Sequence, residues 1–259
     1  MKQKTYSFLM LILINSFVFG QETTTSNNAF NLEIGLNNTY VKDINFSPLN
    51  YLGNSYDIKF GYIRKTKKLN IFFSSLNLSS GVLKTNASNL FNSDRALGII
   101  KIGYLKNVKK VNSKTNFYVG SQYKTYLSMM FYDGTRSFSF FGLHSVDIIG
   151  SVNYQYTNKH SINASVGLPI FGLLVRPPYS GIDKFLAENE NNYFKIITNG
   201  KFTSLNNFFG LDFGLSYKYK LSKKWDLLVS NHFHYYKTKW NDINKSIDNS
   251  ITVGTQFNF

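Results

Sequence analysis

The stretch from Ser246 to Phe259 (SIDNSITVGTQFNF) alternates at a period of two. Ile247, Ile251, Val253, Phe257 and Phe259 share one parity, and Asp248, Ser250, Thr252, Gly254, Gln256 and Asn258 share the other. Side chains leave a strand on opposite faces in turn, so this is a strand with one apolar and one polar face. The same period recurs from Phe30 onward. The charged residues Glu33, Asp57, Lys59, Lys101, Asp212, Lys218 and Asp248 all fall opposite the large apolar ones. Slipping such a strand by one residue would exchange its faces, so the pattern fixes register as well as conformation.

A strand of this kind that ends on an aromatic residue resembles the closing strand of Gram-negative outer-membrane β-barrels. The resemblance implies an all-β fold, a transmembrane antiparallel up-and-down β-barrel. In lipid every backbone N–H and C=O must be satisfied within the sheet, which requires closure and an uncharged outer face. The strands number about ten. Twelve result if the hairpin signal at Asn199-Gly200 crosses the membrane, but its flanking arms are shorter than the roughly 9–11 residues a crossing needs. A soluble sandwich would also alternate, with strands of about five to six residues.

Along the chain, Leu32, Ile34 and Leu36 oppose Glu33, Gly35 and Asn37, and Tyr56, Ile58 and Phe60 oppose Asp57 and Lys59. A Pro/Asn/Gly-rich connection at Lys42 to Asn54 and an Asn/Ser-rich one at Lys84 to Asp94 alternate with short basic turns such as Lys65 to Lys68 and Ser222 to Lys224. Long connections are expected outside the cell and tight ones in the periplasm. A parity slip at Ser74-Ser75 reads as a β-bulge. Strand eight, Phe209 to Leu221, is the cleanest, with Gly210 and Gly214 relieving crowded lumen packing. One long extracellular loop is expected at 172–207. Within it, Ser180 to Asp183 resembles a capping box, Ile182, Phe185 and Leu186 have helical spacing, and Phe194 to Ile197 forms a hairpin arm.

The ends and the composition agree with export. Residues 1–20 read as a signal peptide, with Lys2 and Lys4 before the apolar run Phe8 to Ile14. Residues 21–29 form a polar periplasmic leader, and 30–259 form the barrel. Without cysteine there is no disulfide framework and no lipid-anchored thiol. The formal charge of +15 suits anionic outer-membrane lipid and lipopolysaccharide phosphates better than nucleic acid, given an exported barrel. The aromatic content of 17% fits rings lining two membrane interfaces.

Chemistry is harder to read. His232 and His234 share the inward parity of their strand, and pairing through the turn at Ser222 to Lys224 puts His234 opposite Asp212 and near Thr252. Together with Lys218 and Asp248 these residues are expected to form a hydrogen-bonded polar network in the lumen. Two histidines at i and i+2 without a third ligand do not make a metal site, and no cofactor motif is present. His144, Ser145 and Asp147 invite comparison with outer-membrane lipid hydrolases, but in a strand His144 and Ser145 point to opposite faces. Arg176, Pro177, Pro178 and Tyr179 open the long loop as a candidate contact for a ligand or partner. Three readings follow: a non-enzymatic outer-membrane barrel with binding or assembly contacts in its extracellular loops, to a partner membrane protein for example; a narrow porin-like pore for small solutes, biased toward anions by Lys59, Lys101, Lys218 and Lys220; and a lipid-modifying hydrolase.

Overall fold

In the computed structural model, residues 28–112, 114–132, 138–177, 188–189 and 191–259 are described. The expected signal peptide, nearly all of the leader, the capping box and helical spacing at 180–186, and Pro178 and Tyr179 lie outside them. The alternating stretches form β1 (Asn28–Asp43), β2 (Asn50–Lys65), β3 (Ile71–Lys84), β4 (Ser93–Asn112), β5 (Thr115–Tyr132) and β6 (Phe138–Gln155). They continue as β7 (His160–Val175), β8 (Lys201–Ser204), β9 (Phe208–Lys220), β10 (Trp225–Thr238) and β11 (Asn244–Asn258), with a 3-10 turn at Asn89–Phe91 and a short α-helix, α1 (Tyr193–Thr198). From β1 to β7 and from β9 to β11 each strand pairs antiparallel with the next, β7 pairs with both β8 and β9, and β11 returns to β1. The result is a closed ten-stranded barrel with β8 as an additional short strand. Strands of 13 to 20 residues are long enough to cross a bilayer with tilt.

Every strand of the ring presents oil outward. In β1, Phe30, Leu32, Ile34 and Leu36 are exposed, while Asn31, Glu33 and Asn37 on the opposite parity are buried. The same division holds for Phe213, Leu215 and Tyr217 against the buried Asp212 in β9. An outer wall of exposed aliphatic and aromatic side chains around a polar interior inverts the arrangement of a water-soluble barrel and matches hydrocarbon as solvent. At the end where β1 begins and β11 stops, Trp225, Phe257 and Phe259 form an aromatic row, with ring centroids 5.0 and 6.0 Å apart along it.

Several expectations change. The register of β3 against β2 is unbroken from Ile71 to Lys84, so Ser74-Ser75 is no bulge. The parity slips because Ile71 and Phe73 turn inward onto an apolar cluster of Leu105, Tyr118 and Ile149. The irregularities lie instead between β4 and β5 at Asn107/Lys109 and Lys110/Asn112, and in β7, where Val146 faces Phe171 and Asp147 faces Pro169, leaving Ile170 as the extra residue. The first connection shrinks to the six positions 44–49, because Asp43 and Asn50 extend their strands. The 172–207 loop loses its first residues to β7 and gains β8. Phe194 to Ile197 is helical, not a hairpin arm, because the Asn192 side chain accepts from Lys195 N at 3.1 Å and caps α1.

Candidate functional site

The interior is filled by side chains in layers. Nearest the loop end, Asp43 accepts from Arg176, from Asn244 Nδ2 at 3.0 Å and from Ser139 Oγ at 2.6 Å. The next layer centres on Asp248 of β11. Arg95 reaches it from β4 through Nη1 at 2.5 Å and Nη2 at 3.1 Å, a two-pronged pair across the lumen. Thr39 and Tyr126 each donate to the same carboxylate at 2.8 Å, and Arg95 also donates to Ser128 Oγ at 3.1 Å. Arg95 and Asp248 are each 2% exposed, so neither faces a water-filled channel.

The third layer joins β4, β5, β6, β9 and β10. Lys124 lies 2.9 Å from Asp212 and 3.2 Å from Asp147, and Lys101 lies 3.4 Å from Asp212. His234 Nδ1 lies 2.7 Å from the other Asp212 oxygen, and Asp147 also accepts from Ser145 at 2.5 Å and Gln122 at 2.8 Å. Below it, Lys59 pairs with Glu33 at 3.0 Å and sits 2.6 Å from His232 Nε2. Lys218 stands apart, half-buried and 3.7 Å from Asp226.

All five residues expected in the lumen network therefore face inward, divided among separate layers. His234 does face Asp212 in the strand register. On its other side it faces Asp248, while Thr252, the expected neighbour, faces Ser230. At Gly214 a Cβ would approach Ser165 Oγ to 2.8 Å and His232 Nδ1 to 3.4 Å, the crowding that glycine relieves. Arg95, Lys124 and Asp43 went unremarked in the sequence. Arg95 shares parity with Lys101, but Leu97 and Ile99 between them also face inward, into an apolar cluster with Tyr126, Phe141 and Tyr236, and hide the charge periodicity.

Arg176 is an anchor rather than an exposed contact. Beyond Asp43, its Nη1 donates to the carbonyls of Trp240 at 2.8 Å and Asp242 at 2.6 Å. Asn241 and Asp242 have positive φ, 48° and 73°, a turn conformation that Asn and Asp tolerate. Asn45 Nδ2 donates to Pro177 O at 2.8 Å and Asn241 Nδ2 to Arg176 O at 3.1 Å, so three connections are tied together over the mouth. Arg176→Ala is expected to loosen this tie locally. Proteinase K should cut the β7–β8 and β10–β11 connections at least about threefold faster, with the barrel still migrating as a folded species on unheated gels.

His144 and Ser145 point to opposite faces, as their adjacency requires. Ser145 is buried against Asp147, whereas His144 lies on the outer wall beside Tyr123 and Thr125, with its Nε2 2.8 Å from the Ile197 carbonyl of α1. His144 thus holds α1 against the outside of the barrel.

No family model and no curated protein matches this sequence. Among solved structures, the outer membrane protease OmpT of Escherichia coli is similar over 93% of this chain and 99% of its own, with a TM-score of 0.55 at 7% identity. The fold is that of the outer-membrane β-barrels. The translocator domain of the autotransporter NalP from Neisseria meningitidis also aligns, over 98% of this chain and 96% of that one, at 9% identity and a TM-score of 0.45. Identities this low convey the architecture and leave activity to the residues themselves.

Proposed function

We propose that this chain is an integral protein of the outer membrane, delivered by a cleaved signal peptide, which works through binding or assembly contacts at its extracellular loop end and not as a conduit or a hydrolase. The observation that carries this reading is the interior: Arg95 with Asp248, and Lys124 with Asp147 and Asp212, bridge strands across the lumen in nearly fully buried layers. A solute would have to break these pairs to pass. Of the four lysines that would favour anions in an open pore, Lys59, Lys101 and Lys218 each stand within 4 Å of a carboxylate, and Lys220 is exposed at the end of β9. A hydrolase at Ser145 would need its base on the same face, and His144 lies across the wall. The loop end, with connections pinned by Arg176, supplies the ordered surface for a partner membrane protein or for lipopolysaccharide.

Reconstitution in planar bilayers tests this directly. The expected result is a flat current trace at ±100 mV, with insertion verified by protease protection, on the scale where open barrels give discrete steps. Stepwise conductance in the unmodified protein would refute the reading in favour of the narrow pore.

A further inference from the structure

The barrel wall has a seam on its loop side. From His160 to Gly167, β7 pairs with β9, ending at Gly167 opposite Asp212. Beyond the extra residue Ile170, the same edge of β7 pairs instead with β8, Phe171 opposite Ser204 through Leu174 opposite Lys201. Phe208 to Leu211 of β9 meanwhile pair only with β10. The strands β8 and β9 thus flank one another with no ladder between them, and a cavity of about 440 Å³ occupies the space, within the roughly 300–1,000 Å³ of ligand sites.

The lining of this cleft is amphipathic. Leu174 and Phe208, both part of the buried apolar cluster, form its inner end. Leu205 and Phe209, exposed on the outside, form its apolar mouth. Lys201, Lys237 and Lys239 are exposed along the same lining, and none of the described residues lining it is acidic. Thr203 lies between the two regions, 6% exposed, with a hydroxyl that has no hydrogen-bond partner among the described residues. A buried hydroxyl without a partner is costly, and such groups are ordinarily matched by a protein group, an ordered water or a bound molecule.

We propose that this lateral cleft binds a phosphate-bearing acyl lipid of the surrounding outer leaflet, with the chain between Leu205, Phe209 and Phe208, the phosphate on Lys201, Lys237 and Lys239, and the Thr203 hydroxyl donating to a headgroup or ester oxygen. Apolar surface running into the wall selects the chain, and three lysines with no acidic residue among the described residues of the lining select the charge. The assignment rests on the protein lying in the outer membrane, and its test is independent of conductance.

Trp240 lines the cleft, whereas Trp225, the other tryptophan, lies at the opposite end of the barrel. A Trp225→Phe protein in octyl glucoside therefore reports the cleft alone. Titrated with bromine-labelled dodecyl phosphate, its fluorescence should be quenched saturably, at least about fivefold more tightly than with the equivalent bromododecyl maltoside. Lys237→Glu with Lys239→Glu should weaken the phosphate amphiphile about tenfold or more and leave the maltoside unchanged. Thr203→Val should weaken both amphiphiles to a smaller extent. Folding of each variant is checked by heat-dependent migration. Equal quenching by the two amphiphiles, indifference to charge reversal, or displacement by inorganic phosphate at the amphiphile's own concentration would each overturn the assignment, the last by marking a free-anion site. A conducting barrel with this selectivity would overturn the functional proposal and keep the lipid site.

Discussion

Replacing Arg95 with alanine is expected to destabilise the folded barrel by about 3–5 kcal/mol, the cost of leaving a buried charge without its partner. Arg95 and Asp248 are both almost completely enclosed, and they join β4 to β11 across the full width of the lumen. The truncation orphans a carboxylate that water cannot reach. Thr39, Tyr126 and Ser246 still donate to it, at 2.8, 2.8 and 3.1 Å, but neutral donors do not cancel the charge. Urea unfolding in phospholipid vesicles, followed by tryptophan fluorescence, measures the loss. The double variant Arg95→Met with Asp248→Leu should recover most of it, because matched removal leaves no uncompensated group. A single-variant loss below about 1 kcal/mol would mean that solvent enters this layer, and would count against a filled lumen.

The second large effect is on the outside. Leu215 sits near the middle of β9 on the outward face, 43% exposed. Leu215→Arg is expected to cost about 2–4 kcal/mol in the same vesicle assay, since it places a cation against hydrocarbon at the bilayer centre. Leu221→Arg, at the turn just beyond β9, should cost only about 0–1 kcal/mol, because a charge there reaches the headgroups. Equal costs at the two positions would contradict a membrane-spanning wall. Reversal of the gradient would be harder still to reconcile with it.

The same physics explains what could be read from the sequence. Where oil alternates with polar or charged residues, strictly from Phe209 to Leu221 and with only Asn249 and Thr255 out of step from Ile247 to Phe259, strand, face and register were all legible, because hydrocarbon outside permits only one register. Where both faces carry apolar side chains the signal failed. Ile71 and Phe73 fill the terminal end of the lumen and mimic a bulge, and Leu97 and Ile99 conceal Arg95. Lumen partners were partly legible through hairpin register, which brought His234 opposite Asp212 across one tight turn. The pair between Arg95 and Asp248 was not, because it depends on how a closed sheet curves and staggers, and neither residue adjoins the other in the ladder. Arg176 was visible as unusual in its loop but not as an anchor, since two of its acceptors are backbone carbonyls with no sequence signature and the third, Asp43, lies 133 positions away. The seam between β8 and β9 was hidden for a related reason: it follows from one extra residue at Ile170 and a short strand of four residues.

The pairing of β1 with both β2 and β11 also bears on assembly. Thr252 donates to Glu33 from 219 positions away, so the first strand keeps an unpaired edge until nearly all of the chain has arrived. A contact so distant in sequence forms slowly, and an open edge beside apolar faces invites aggregation in the interval. Closure of this ring is therefore a matter of timing as much as of energy, because the edge of β1 stays open beside apolar faces until β11 pairs with it.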